Sequence, residues 1–131
     1  MWNNLVVPSR LPIGSDFHLF KDGIEPMWED PHNAQGGKWT HSLLKKALDD
    51  SWLNACLSCI GEQYEDNSEN ICGTVVSVRR ADRIALWTRD RNDQSSTLAI
   101  GKAFKSHLDV TEETKISWVP HQENTVPKLD L

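Results

Sequence analysis

Five arginines of this 131-residue chain lie within thirteen residues, where only Asp82 and Asp90 oppose them: Arg79, Arg80, Arg83, Arg89 and Arg91. A guanidinium group binds phosphate oxygens through paired, charge-assisted hydrogen bonds. The formal net charge is −5, yet residues 71–131 hold nine Lys and Arg against eight Asp and Glu, whereas residues 1–70 hold five against eleven. We therefore expect any phosphate-binding field in the second half of the chain.

A Trp followed directly by a Glu, Trp28–Glu29, is the second feature with binding chemistry. A carboxylate can accept hydrogen bonds from both N1–H and N2–H of guanine while an adjacent indole covers the base. A packed Trp beside a solvated Glu is the other interpretation of this pair. Together with Trp87 and two arginines on one predicted sheet face, the pattern favours a guanine nucleotide with several phosphates. N7-methylation would strengthen the stacking because it makes the base positively charged.

Motifs of catalysis and of cofactor binding are missing from the sequence. It contains neither a G-x-S-x-G nucleophile motif nor a G-x-x-x-x-G-K-S/T phosphate loop. Cys56 and Cys59 form a C-x-x-C pair inside a predicted helix, but no second pair completes a zinc site. Small buried helix residues explain this pair, and we predict a protein without enzymatic activity, metal or cofactor. Three cysteines, no membrane-length apolar run and no signal pattern favour the cytoplasm.

The arginines and Trp87 lie in the clearest local pattern, two β-branched runs at 72–79 and 83–89 that predict a β-hairpin. We predict that Arg79 pairs with Arg83 across a three-residue turn, which places both on one face with Trp87. Two opposed arginines repel each other unless an anion lies between them. The pairing therefore supports a phosphate site at this end of the hairpin.

The remaining segments predict an α+β fold in which helices cover one face of a curved antiparallel sheet, as a single domain over 1–131. The helix predicted over 44–63 has an apolar arc of about 200°, about twice the width that packing on one core requires. Either this helix is buried on two sides, or its edge at Leu53 and Leu57 docks another protein. A second helix is predicted at 96–108, short strands are predicted at 17–20 and 38–43, and residues 115–119 are predicted to form the final strand before a polar tail.

Several of these motifs together resemble one known family. They are the run KDGIEPMWED at 21–30, GGKW at 36–39, IGEQ at 60–63, CGTVVSVR at 72–79 and RIALWT at 83–88. The chain closely resembles the mRNA cap-binding translation initiation factor 4E family over about residues 2–120. This family binds the 7-methylguanosine cap on the concave face of a curved sheet, so the resemblance implies that fold with the helices on the convex face.

The resemblance also implies a role for each candidate residue. Trp28 would stack on the methylguanine, Glu29 would bind its N1 and N2 edge, and Trp87 would lie near the N7-methyl group. Arg79 and Arg83 would contact the phosphate bridge.

On the convex side, Trp2, Leu53 and Leu57 match positions where the family binds its large scaffold subunit or inhibitory 4E-binding proteins. Asn54 stands where many members have an acidic residue that contacts the partner.

Family members have an N-terminal strand and a second cap-stacking Trp upstream of the position that matches Met1. We therefore expect an N-terminally truncated member whose first strand is missing. Loss of one stacking face would weaken cap binding by about 1–3 kcal/mol. The sequence predicts a cap-binding factor of translation initiation, or alternatively a cap-impaired isoform that sequesters scaffold or regulator peptides.

Overall fold

The computed structural model describes residues 12–21, 23–25, 27, 29–43, 45–60, 69–79, 82–108, 116–121 and 129–131. Within these ranges, six strands form one antiparallel sheet in the order β1-β3-β4-β2-β5-β6. The strands are β1 Asp16–Phe20, β2 Gly37–Leu43, β3 Ile71–Ser77, β4 Asp82–Thr88, β5 Ser117–Pro120 and β6 Leu129–Asp130. The helices are α1 Pro31–Ala34, α2 Lys45–Ile60 and α3 Gln94–His107.

The two faces of the sheet differ in burial. On β4, Ile84 and Leu86 are fully buried, whereas Arg83 is exposed and Trp87 is half-buried. Side chains alternate along a strand, so the cross-strand register extends this division across the sheet. The helix-covered face packs against α2 and α3. The open face carries the alternate residues Asp16, His18, Phe20, Lys38, Thr40, Ser42, Val75, Ser77, Arg83, Ala85, Trp87, Ser117 and Val119.

Aromatic side chains fill the core between the helix-covered face and the helices. Trp39 and Trp118 are 0% and 1% exposed, and Phe104 of α3 is fully buried with them. The Trp39 Nε1–H donates to the Thr97 carbonyl at 3.0 Å, so its one polar atom is satisfied. This arrangement confirms the predicted α+β fold with helices on one face of a curved sheet. In the part of the chain that the structure describes, no helix is long and apolar enough to cross a membrane.

The hairpin exists, but the predicted pairing of Arg79 with Arg83 is wrong. Ser77 pairs with Arg83, which places Arg79 beyond the last pair, in the turn. The reason is Asp82, whose carboxylate accepts the Arg79 backbone N–H at 3.0 Å and so fixes the turn two residues earlier. A shift of two residues preserves the side-chain alternation. Arg83 and Trp87 therefore still share the open face, as predicted.

The strand predicted at 115–119 corresponds to β5, but it is not the last strand. Ser117 pairs with Asp130 and Trp118 pairs with Leu129, so the end of the chain adds β6 to the sheet. Two reciprocal backbone hydrogen bonds between Ile116 and Leu131, at 3.1 and 2.9 Å, extend this pairing. Two paired residues are too few to produce an alternating sequence pattern, and for this reason the sequence predicts a polar tail instead.

Helix α2 is buried along one side and exposed along its edge. Trp52, Ala55 and Cys56 lie in the core, whereas Leu53 and Leu57 are 37% and 44% exposed. Burial on two sides is one of the two predicted explanations for the wide apolar arc of this helix. That explanation is wrong, because the edge with Leu53 and Leu57 is exposed. The exposed leucines fit the other explanation, a docking surface.

The three thiols allow a direct test of the C-x-x-C interpretation. Cys56, Cys59 and Cys72 are free, and burial raises their pKa values to about 12, 11 and 11. Since the thiolate is the reactive form, we expect none of them to react rapidly with a disulfide reagent such as dithionitrobenzoate at pH 8. All three should react after denaturation. Rapid labelling of one thiol in the folded protein, or zinc retained through dialysis, would contradict this assignment.

Candidate functional site

Trp87 lies on the open face between aromatic rings from two other parts of the sheet. Its ring centroid is 5.2 Å from that of Phe20 on β1, at an interplanar angle of 83°. The His121 ring, directly after β5, is 4.3 Å away at 50°. The edge-to-face geometry with Phe20 is the one that the quadrupoles of aromatic rings favour. These contacts hold the half-buried indole in one place on the open face.

Gly73 makes the contact between Phe20 and Trp87 possible. It pairs with Phe20 on one side and with Trp87 on the other, so it lies between them in the sheet. A Cβ atom on Gly73 would be 2.5 Å from the Phe20 ring and 2.5 Å from the Leu19 carbonyl oxygen. The absence of a side chain at this position therefore lets the two rings meet above β3.

Two cations on the open face accompany Trp87. Lys38 on β2 pairs directly with Trp87, and Arg83 lies four residues away on β4, about 13 Å at the usual strand rise. Both side chains are exposed. Lys38 is a functional candidate that the sequence reasoning missed. The sequence signal for Lys38 is its position directly before Trp39. Because side chains alternate along a strand, Lys38 lies on the open face when Trp39 lies in the core.

Arg79 is held at the turn end of the hairpin by several hydrogen bonds. Its Nη1 donates to the carbonyls of Ser15 at 3.2 Å and Val78 at 2.9 Å. Its Nη2 donates to both carboxylate oxygens of Asp16 at 3.3 Å. Asp16 pairs with Ser77, and Ser77 pairs with Arg83, so all three lie in one row across the sheet. An anion at this end would therefore meet a fixed guanidinium whose charge Asp16 already offsets in part.

Glu29 is exposed on the loop that joins β1 to α1, whereas Trp28 and Trp2 lie outside the described residues. Asp30, the N-cap of α1, ends this loop. Its carboxylate accepts the backbone N–H of Glu25 at 2.9 Å and of His32 at 2.8 Å. These hydrogen bonds, that from Glu25 most of all, lower the pKa of Asp30 because they favour the charged carboxylate.

The structure distributes the predicted residues over two ends of one face. Trp87 and Lys38 lie at the end of the sheet where β1 enters the loop that carries Glu29. Arg79 and Arg83 lie together at the opposite, turn end of the hairpin. A base at the first end with phosphates at the second would extend along β4. In the described ranges, no group of three or more His, Cys, Asp and Glu side chains could hold a metal ion.

His121 gives the Trp87 end a testable pH dependence. Burial, together with the positive charge of Lys38, lowers the pKa of His121 from 6.5 to about 4. The folded state therefore favours the neutral ring, and stability that is complete above pH 6.5 is lost as the pH falls towards 4. On acidification, we expect His121→Phe to lose about 1–2 kcal/mol less of its free energy of unfolding than the wild type, allowing for partial solvent screening.

This expectation is checked by urea denaturation of the wild type and His121→Phe at pH 7 and pH 4.5. Phe keeps a ring against Trp87 without a titrating group. Equal losses of stability in the two proteins would show that the His121 ring is not held neutral by the fold.

The comparisons with known proteins agree with this fold. The family model for eukaryotic initiation factor 4E matches residues 1–129. The chain is 47% identical to eukaryotic translation initiation factor isoform 4E of Arachis hypogaea over 115 residues, which are 86% of this chain and 56% of that protein. It is 40% identical to eukaryotic translation initiation factor 4E type 1B of Homo sapiens, covering 100% of this chain and 56% of that protein. The chain thus spans about half the length of these relatives.

Solved structures give the same result at the level of the fold. The chain matches C. elegans eIF4E-3, in complex with the 4E-binding protein Mextli and a cap analog, with a TM-score of 0.94 and 36% identity over 99% of this chain and 76% of that chain. It matches Ascaris suum eIF4E-3 with m7G cap with a TM-score of 0.90 and 41% identity over 97% of this chain and 73% of that chain. The chain belongs to the eukaryotic initiation factor 4E family.

Proposed function

We propose that this chain binds the 7-methylguanosine cap of mRNA on its open face and recruits the translation initiation scaffold, as a cytoplasmic factor without enzymatic activity. One observation carries the proposal. Trp87, fixed between Phe20 and His121, shares the open face with Lys38 and Arg83. This sheet has the fold of Ascaris suum eIF4E-3, whose structure contains the m7G cap.

Each part of the ligand then meets a group of suitable chemistry. The N7-methylated base is positively charged, so it is attracted to the electron-rich Trp87 indole and is not repelled by His121, whose ring is neutral at pH 7 because burial lowers its pKa to about 4. Trp28 would stack on the base, and the Glu29 carboxylate would accept its N1–H and N2–H. The phosphates would extend along β4 to Arg79 and Arg83, with Lys38 beside the base end.

The convex side of the molecule would bind protein partners. Leu53 and Leu57 are exposed one helical turn apart on α2, where an amphipathic peptide could cover both. C. elegans eIF4E-3, which has the same fold, was solved with the 4E-binding protein Mextli. We propose that these leucines, together with Trp2, bind the large scaffold subunit and inhibitory 4E-binding proteins. Their exposure also favours a second candidate function, sequestration of such partners without cap binding.

Titration of intrinsic Trp fluorescence with 7-methyl-GTP and with GTP tests the proposal. We expect saturable quenching by 7-methyl-GTP at a concentration at least about tenfold lower than for GTP, a difference of 1.4 kcal/mol. A Leu53→Ser/Leu57→Ser double variant should keep this quenching and lose binding to Mextli. Absence of quenching at millimolar 7-methyl-GTP would overturn cap binding. Mextli binding that depends on the two leucines would then support the second candidate.

A further inference from the structure

Asn33 of α1 is fully buried, and its side chain bonds to the loop that carries Trp28 and Glu29. Its Nδ2 donates one hydrogen bond to the Glu25 carbonyl at 2.8 Å and one to the Met27 carbonyl at 2.7 Å. Both hydrogens of the amide are thus used on two backbone groups just before Trp28. The Asn33 Oδ1 accepts no hydrogen bond from the residues that the structure describes. Within these residues, the side chain acts as a double donor.

Asp30 closes the same loop from its other end. Its carboxylate accepts the Glu25 N–H at 2.9 Å, and its own backbone N–H donates to the Met27 carbonyl at 3.1 Å. The backbone of Glu25 is therefore held through both its N–H and its C=O. Trp28 and Glu29 follow Met27 and precede Asp30 in the sequence, so anchored residues flank this pair on both sides.

The anchor residues are themselves fixed to the sheet. The Cys72 thiol of β3 donates to the His32 carbonyl at 3.4 Å, and the Gly36 backbone N–H donates to the Asn33 carbonyl at 2.8 Å. Gly36 in turn accepts the backbone N–H of His121 at 3.0 Å. Because His121 contacts Trp87, one continuous set of contacts joins the loop to the aromatic end of the open face.

We propose that Asn33 is a positioning residue for recognition of the methylated base, an inference that rests on the proposed function. Its amide fixes the carbonyls of Glu25 and Met27, so that the backbone leading to Trp28 and Glu29 is anchored before the ligand arrives. Without it, the loop must be ordered on binding, and this cost reduces affinity. Only the contacts to the base lose affinity, because Arg79, Arg83 and Lys38 do not depend on this loop for their positions.

The test compares Asn33→Leu with a matched control, Thr74→Val. Leu keeps the branching of Asn at Cγ but has no donor. Thr74 is also fully buried, and its hydroxyl donates to the Ala85 carbonyl at 2.8 Å on the helix-covered face, away from the loop. Affinities for 7-methyl-GTP, GTP and Mextli are measured for both variants and the wild type, with urea denaturation in parallel.

We expect Asn33→Leu to lose about tenfold in affinity for 7-methyl-GTP and less in affinity for GTP, which presents the same N1–H and N2–H but gains less from stacking because its base is uncharged, so the ratio of the two affinities falls while Mextli binding is retained. Thr74→Val should lose stability without a change in the ratio of the two nucleotide affinities. An unchanged ratio in Asn33→Leu would overturn the inference. If that variant does not fold, Asn33→Ser, which keeps one donor, is judged by the same ratio.

The outcome also separates this inference from the proposed function. A wild-type protein that does not distinguish 7-methyl-GTP from GTP would overturn both. If the wild type distinguishes the two nucleotides and the Asn33 variant has the same ratio of affinities for them, only the role of Asn33 is overturned.

Discussion

Replacing Trp39 with alanine is expected to lower the free energy of unfolding by about 3–5 kcal/mol, a large part of the stability of a domain of this size. Trp39 is 0% exposed, and its ring contacts α3 at Gly101, where a side chain would overlap it. Alanine would leave a cavity between the sheet and α3 and remove the hydrogen bond to Thr97. Urea denaturation followed by circular dichroism measures the loss without depending on Trp fluorescence.

Trp87→Ala is the matched control, because Trp87 lies on the other face of the same sheet. It is half-buried, so we expect a loss of stability of about 1–2 kcal/mol and a loss of quenching by 7-methyl-GTP. Equal destabilisation by the two substitutions would contradict the assignment of Trp39 to the core and Trp87 to the open face.

Gly73→Ala should separate β1 from β3. The added Cβ would lie 2.5 Å from the Leu19 carbonyl oxygen and 2.7 Å from the Phe20 Cα, both backbone atoms that cannot move without breaking the strand pairing. We expect a loss of stability of about 3 kcal/mol, at the upper end for overpacking. The Phe20 ring would move away from Trp87, so affinity for 7-methyl-GTP should fall as well.

Hydrogen exchange of the amides in Asp16–Phe20, together with urea denaturation, measures this effect. Val75→Ala, on the same strand and the same face, removes atoms instead of adding them. It should cost about 1 kcal/mol and leave the exchange of β1 unchanged. Protection of β1 in Gly73→Ala equal to that in the wild type would show that the sheet accommodates a side chain at this position.

The sequence predicted the elements with strong local patterns. Alternation along 83–88 correctly places Arg83 and Trp87 on one face, with Ile84 and Leu86 in the core on the other, because the pairing of 83–87 with β3 keeps the two-residue period and the irregularity between Ile71 and Gly73 lies beyond it. The apolar arc of α2 likewise indicated the exposed edge at Leu53.

Features that depend on distant parts of the chain could not be predicted. Pairing of β6 with β5 joins segments that are separated by residues without a strand pattern. The contacts of Arg79 with Ser15 and Asp16 span more than sixty residues of sequence, so the turn alone does not indicate them. Helix α1 has only four residues, and its single sequence signal is Asp30 followed by Pro31 at the first helical position.

Strand β4 is paired at all seven of its residues with β2, and most of them also pair with β3. An insertion or deletion of one residue near its middle would turn Ile84 or Leu86 outward, whereas a change of length in the turn between Val78 and Asp82 leaves both in the core. Such a change would move Arg79 relative to Arg83 and leave Trp87 in place. If the proposed function holds, paralogues can differ in their phosphate contacts while the end of the sheet that would bind the base stays constant.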